Sequence, residues 1–339
     1  MITRSGSGTA ELYSEPFIFI YIFFFNSYLL HKMIRFLNNV LLFRDATKIN
    51  KLTPIISRTG IHTGEGISPI KMSFASYEST NIDDLTGKSP LLIMHGIFGS
   101  KSNWHSLSKT LHLKTKRKVI ALDARNHGDS PHTDEFSYYH MIKDINFFIK
   151  SSNMTNVALL GHSMGGRSMM LYSLNYPEFV DKLIVVDISP IKTSSDIYSL
   201  QSYFEIMENV TIDRNLTMSQ GRREADQQIS SVVSDESVRQ FLLTNLVRTN
   251  AGFKWKLNLK SLAKAFSSEI ANFPEITKTF DKPTLFIGGR QSDYLPPGDN
   301  EKILKYFPKA SFTYLDAGHW VHAEKPHEFI SIVTEFLEQ

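Results

Sequence analysis

From residue 90 to the C-terminus, short apolar runs alternate with stretches whose apolar residues recur at helical spacing. That rhythm predicts an α/β fold, a mostly parallel sheet wrapped by helices. Residues 90–94 (P-L-L-I-M), 119–122, 157–160, 183–186, 284–288 and 312–315 read as strands. They are short and almost wholly apolar, as strands covered on both faces are. Residues 137–150 read as a helix with Met141, Ile142, Ile145, Phe148 and Ile149 along one side, and 164–175 and 328–337 read as two more. Between about 188 and 282 the strand signal vanishes. Helical segments such as 238–247 (Phe241, Leu242, Leu243, Leu246, Val247) take its place. A stretch of that length cannot be a loop in a compact domain. It predicts a helical cap, inserted after the sixth strand and lying over the carboxyl edge of the sheet, where open α/β sheets bind ligands.

Composition narrows the classes without changing this picture. The chain has 339 residues, 42% hydrophobic and 21% charged, enough for one large α/β domain over 66–339. Its net charge is only +3, with no basic stripe interleaved with aromatics, so nucleic acid is not an expected partner. It contains no cysteine, which excludes disulfides, cysteine-ligated zinc and a thiol nucleophile.

Residues 1–65 differ from the rest and read as an N-terminal extension. The apolar run over 17–30 covers 14 residues, short of the roughly 20 a spanning helix needs, so no stable membrane span is expected. Met33 then opens a different pattern: Arg35, Arg44, Lys48, Lys51 and Arg58 stand against the single acid Asp45 by residue 63. Basic, acid-poor and apolar at helical spacing is the composition of a mitochondrial transit peptide, with Met33 as the working start. The alternatives are a secretory or anchoring segment at 17–30, or a plain tail. The triplets at Asn153, Asn209 and Asn215 are glycan acceptors only in the secreted case.

The chemistry centres on Gly161-His162-Ser163-Met164-Gly165, set between the run V-A-L-L and the helical pattern M-G-G-R-S-M-M-L. Gly-x-Ser-x-Gly between strand and helix is the nucleophile elbow of the α/β-hydrolase fold, and it makes Ser163 the candidate nucleophile. That fold predicts an eight-stranded, mostly parallel sheet. The first N–H groups of the following helix point at the developing oxyanion. Met164 therefore supplies one oxyanion donor, and Ile97 in His95-Gly96-Ile97-Phe98-Gly99 supplies the second.

Chain order in this fold runs serine, acid, histidine. His319 in Ala317-Gly318-His319-Trp320, after the last strand, is the candidate base, with His322 as the fallback. A metal pair from His319 and His322 finds no third ligand at suitable spacing. Two aspartates qualify as the acid: Asp187, after the sixth predicted strand, and Asp293, after the seventh. The residues leave both open. No metal or organic cofactor is implied.

The motifs H-G-I-F-G-S, D-A-R-N-H-G-D-S-P, G-H-S-M-G-G, V-D-I-S-P, L-L-T-N-L-V and A-G-H-W-V-H-A-E-K-P resemble the abhydrolase-domain-eleven type of esterase and lipase. Bacterial esterases and fungal mitochondrial ethanol acetyltransferases are similar to the same branch. The resemblance runs from about residue 70 to the end. It implies an acyl-serine mechanism on a small-molecule ester or acyl-CoA, mitochondrial location, and Asp187 as the acid, with Asp293 as the alternative. Gly-His-Ser and Asp-Ile-Ser-Pro are closer to the esterases, which favours water over an alcohol as the acyl acceptor. Other readings on the same fold are alcohol O-acetyltransfer from acetyl-CoA, carbon–carbon bond hydrolysis, and an inactive ligand-binding protein.

Overall fold

The computed structural model describes residues 66–79, 87–194, 197 and 199–339. The expected transit peptide, Met33 and the apolar run over 17–30 lie outside the described residues. The central sheet has seven strands: β1 (Phe74–Tyr77), β2 (Leu91–Met94), β3 (Val119–Leu122), β4 (Val157–His162), β5 (Val180–Val186), then β8 (Thr284–Gly289) and β9 (Ala310–Leu315). Their order is β1-β3-β2-β4-β5-β8-β9. All pairs are parallel except β1 with β3. The expectation of eight strands is corrected to seven among the described residues. Before β1 the chain gives its Ile70 N–H to the Asp144 carboxylate at 2.8 Å rather than to a strand. The insertion accordingly follows the fifth strand in chain order, and Asp187 and Asp293 follow the fifth and sixth strands of the sheet.

Strand side chains alternate between two cores. Leu91, Ile93, Ala158, Leu160, Ile184 and Val186 face one side, against α1 (His105–Thr115) and the C-terminal helix Pro326–Glu338. Leu92, Met94, Leu159 and Val185 face the other, against α2 (Tyr138–Ser151) and α3 (Met164–Asn175). Full burial on both faces explains why these strands are apolar without alternation. The chain runs from β2 outward to β3 and then back across β2 to β4. The carboxyl ends of β2 and β4 thus diverge at a switch point, with Met94 paired to Gly161.

The cap carries α4 (Leu200–Asn209), α5 (Met218–Ile229), α6 (Glu236–Leu243) and α7 (Leu259–Ala265). It is not wholly helical. The helix expected over 238–247 ends at Leu243, and β6 (Leu246–Thr249) and β7 (Gly252–Trp255) follow as an antiparallel hairpin. Asn245 causes the break: its side-chain amide donates to the carbonyls of Leu242 and, at 2.7 Å, Phe98. Competition of this kind for backbone groups stops helices. The same bond ties the cap to the loop after β2.

Arg167, on α3, fastens both ends of the insertion. Its buried guanidinium donates to the carbonyls of Ser189 and Lys192 on the way in and of Ala271 on the way out, the last at 2.8 Å. No helix among the described residues is long and apolar enough to cross a membrane.

Candidate active site

Ser163 sits where β4 turns into α3, at φ +52 and ψ −120. A non-glycine residue there is strained, and the surrounding contacts hold it in place. Its N–H donates to Val186 O at 3.0 Å, and its own carbonyl begins the helix by accepting from Arg167 N–H. The turn brings α3 so near β2 that a Cβ at Gly165 would lie 2.4 Å from the Met94 carbonyl oxygen. Met164 opens the helix, so its N–H has no intrahelical acceptor. The loop after β2 lies against the same turn: a Cβ at Gly96 would come within 3.2 Å of Ser163 Cβ. Ile97 follows it and, like Ser163, lines a cavity beneath the cap.

Asp187 ends the neighbouring strand β5 and also has positive φ, at +48. It is fully buried. Its Oδ1 accepts the Gly289 N–H at 2.8 Å, while Oδ2 accepts Ser292 Oγ–H at 2.5 Å and His319 Nδ1–H at 2.7 Å. A carboxylate only accepts, so Nδ1 of His319 carries a proton, and in the neutral ring Nε2 is the nitrogen with the lone pair. Ser163 and His319 both line a cavity of about 250 Å³, together with Phe98, Tyr203, Phe241 and Trp320. Among the described residues no lysine or arginine lines it.

Asp187 is thus bonded to His319, His319 shares a cavity with Ser163, and Ile97 and Met164 flank the serine. Asp293 is placed elsewhere: exposed, with Oδ1 accepting Ser194 Oγ–H at 2.5 Å. His322 is buried, stacked on Trp104 with ring centroids 4.3 Å apart, and its Nδ1 has no hydrogen-bond partner. Three contributors escape sequence reading. They are Ser292, which holds Asp187; Tyr294, stacked on His319 with centroids 3.9 Å apart; and Arg167. Only Ser292 carried a signal, a hydroxyl on the loop already suspected for Asp293. Among the described residues no cluster of His, Asp and Glu is placed to hold a metal ion.

Four imidazoles around this site are buried: His95, His127, His162 and His322. His95 is paired on both nitrogens, donating from Nδ1 to Gly96 O and accepting Ala124 N–H at Nε2. Burial pushes all four below the ordinary histidine range, His127 and His322 to about 3. Above pH 6.5 the folded and unfolded chains both hold them neutral. Below it the unfolded chain binds protons that the native state refuses, so stability falls with acidification. The free energy of unfolding in urea is expected to decline steadily from pH 6.5 towards pH 4, and His322→Phe is expected to flatten that slope. An unchanged slope in the variant would contradict the assignment of His322.

Comparison with known proteins covers most of the chain. Residues 89–326 match the family described as "alpha/beta hydrolase fold". A Danio rerio protein named "sn-1-specific diacylglycerol lipase ABHD11" is 39% identical over 284 residues, 84% of this chain and 87% of that protein. A Saccharomyces cerevisiae protein named "Probable alcohol acetyltransferase" is 31% identical over 273 residues, 76% of this chain and 79% of that one. The solved structure of a protein described as "Marine microorganism esterase" shares 34% identity at a TM-score of 0.71, covering 79% of this chain and 99% of that one.

Proposed function

Because this chain belongs to the alpha/beta hydrolase fold family, as a serine enzyme that hydrolyses esters, we propose that Ser163, His319 and Asp187 are the triad that carries the reaction. Ser163 Oγ attacks the carbonyl carbon of a carboxylic ester while His319 Nε2 takes its proton. The negative charge on the carbonyl oxygen is met by the N–H groups of Met164 and Ile97. Each such donor is worth about 2.7–4 kcal/mol in the transition state. His319 then hands the proton to the departing alcohol, leaving an acyl group on Ser163. Water, deprotonated by the same imidazole, attacks that acyl group and frees the acid. Asp187 keeps His319 in the Nδ1–H tautomer and stabilises the imidazolium.

The observation that carries this reading is the 2.7 Å contact of His319 Nδ1 with Asp187 Oδ2 beside a serine on a strained elbow. The aromatic and aliphatic lining fits an uncharged acyl group, as in the glycerol esters named for the Danio rerio relative. The described lining residues are aromatic, aliphatic or uncharged polar side chains and the imidazoles of His162 and His319, which suits a plain ester. The lipase and esterase relatives support water rather than an alcohol as the acceptor.

A series of p-nitrophenyl esters of increasing chain length tests this directly. Uncharged acyl groups are expected to be released and a carboxylate-bearing one (p-nitrophenyl hydrogen succinate) to be poor. Ethyl acetate is not expected to form from acetyl-CoA and ethanol. Absence of hydrolysis above the Ser163→Ala background for every ester would overturn the proposal.

A further inference from the structure

His162 takes no part in the chemistry just described, yet it adjoins the nucleophile, the base and the oxyanion loop. It precedes Ser163 on β4, so the two share the elbow. Its Nε2 lies 2.9 Å from the carbonyl oxygen of His319. A carbonyl only accepts, so Nε2 carries the proton and donates. Its Nδ1 faces the loop that bears Ile97, only 2.9 Å from where a Cβ at Gly96 would stand. The ring is buried, with centroids 4.7 Å from His319 and 4.6 Å from His322. Trp104 backs His322 in turn.

From this geometry we infer that His162 is a positioning residue: its Nε2–H holds the His319 main chain and so sets where the base stands over Ser163. The inference rests on His319 being the base proposed above. One side chain thereby links nucleophile, base and oxyanion loop, across a sequence separation of 157 between His162 and His319. The role needs a neutral ring. A second proton would sit on Nδ1, against the Gly96 loop, and add a charge beside the His319 imidazolium at the moment it forms. The titratable groups facing His162 are His322, His319 and His95, and burial with these neighbours holds it well below the usual histidine range. Of these imidazoles only His319 bonds a carboxylate among the described residues.

Three variants test it with p-nitrophenyl acetate. His162→Gln keeps an N–H at the reach of Nε2, His162→Asn keeps an amide that falls short, and His162→Leu keeps only bulk. Misplacement of a reacting group by about 1 Å costs on the order of a hundredfold. His162→Leu and His162→Asn are accordingly expected to lower kcat by about 10- to 100-fold, with KM changed less than about twofold. His162→Gln is expected to recover most of the loss. Its kcat/KM–pH profile should overlay that of the wild type, because the neutral His162 ring takes up no second proton in the working range.

Wild-type kcat in His162→Leu, or a His162→Gln as poor as His162→Leu, would overturn the inference. So would loss of the acidic limb in His162→Gln, which would make His162 a titrating participant. If His162→Leu does not fold, the contrast between His162→Asn and His162→Gln decides. An inactive wild type would strike the proposed function instead, which keeps the two failures apart.

Discussion

Ser163→Ala is expected to lower kcat for ester hydrolysis by roughly 10⁶-fold, the size of loss seen when a triad serine is removed. Without Oγ no acyl-enzyme forms, and the remaining oxyanion donors and binding cavity speed only direct attack by water. The change removes one oxygen from a residue whose N–H and carbonyl make the bonds that hold the elbow. Alanine meets the same positive φ as serine, so folding is expected to be nearly unaffected. The midpoint of urea unfolding should therefore stay close to that of the wild type while turnover disappears. A loss of under about tenfold would move the nucleophile elsewhere.

Asp187→Asn carries the second large effect, a fall of about 10⁴-fold in kcat. Asparagine fits the same space, but its amide presents an N–H where the carboxylate accepts. His319 would then hold its proton on Nε2, facing the serine, and could not act as a base. The amide also disturbs the bonds from Gly289 N–H and Ser292 Oγ–H, so some stability should be lost as well. Asp293→Asn is expected to change kcat by less than about fivefold, because that carboxylate is exposed and meets Ser194 rather than His319. Steady-state kinetics on the two variants side by side checks the ranking, and a reversed order would reassign the acid.

The parts of this site that sequence reading reached are those built by local backbone geometry. An elbow too tight for side chains at both flanks leaves a Gly-x-Ser-x-Gly trace, and the helix expected over 164–175 is observed as Met164–Asn175. The choice between Asp187 and Asp293 was not local. Both are aspartates at strand ends, and what separates them is the positive φ at Asp187 together with donors from Gly289 and Ser292, over 100 residues away. The same holds for Arg167, whose acceptors lie at the two ends of the cap.

The cap hairpin was hidden for a different reason. L-V-R-T and G-F-K-W are four residues each, and the apolar spacing leading into the first continues the helix before it. Asn245 bonds Leu242 locally and also reaches Phe98, a tertiary contact that the sequence does not display. Edge strand β1 was missed because half of its side chains face outward, which leaves no apolar run to notice.

The central claim, that Ser163 is a nucleophile activated by His319, is tested most directly by reaction of the whole chain with a fluorophosphonate, read by intact mass and peptide mapping. The expected result is one adduct per chain, on Ser163, absent in Ser163→Ala and strongly slowed in Asp187→Asn. An adduct on any other residue, or an unlabelled wild type under conditions where it hydrolyses esters, would contradict it.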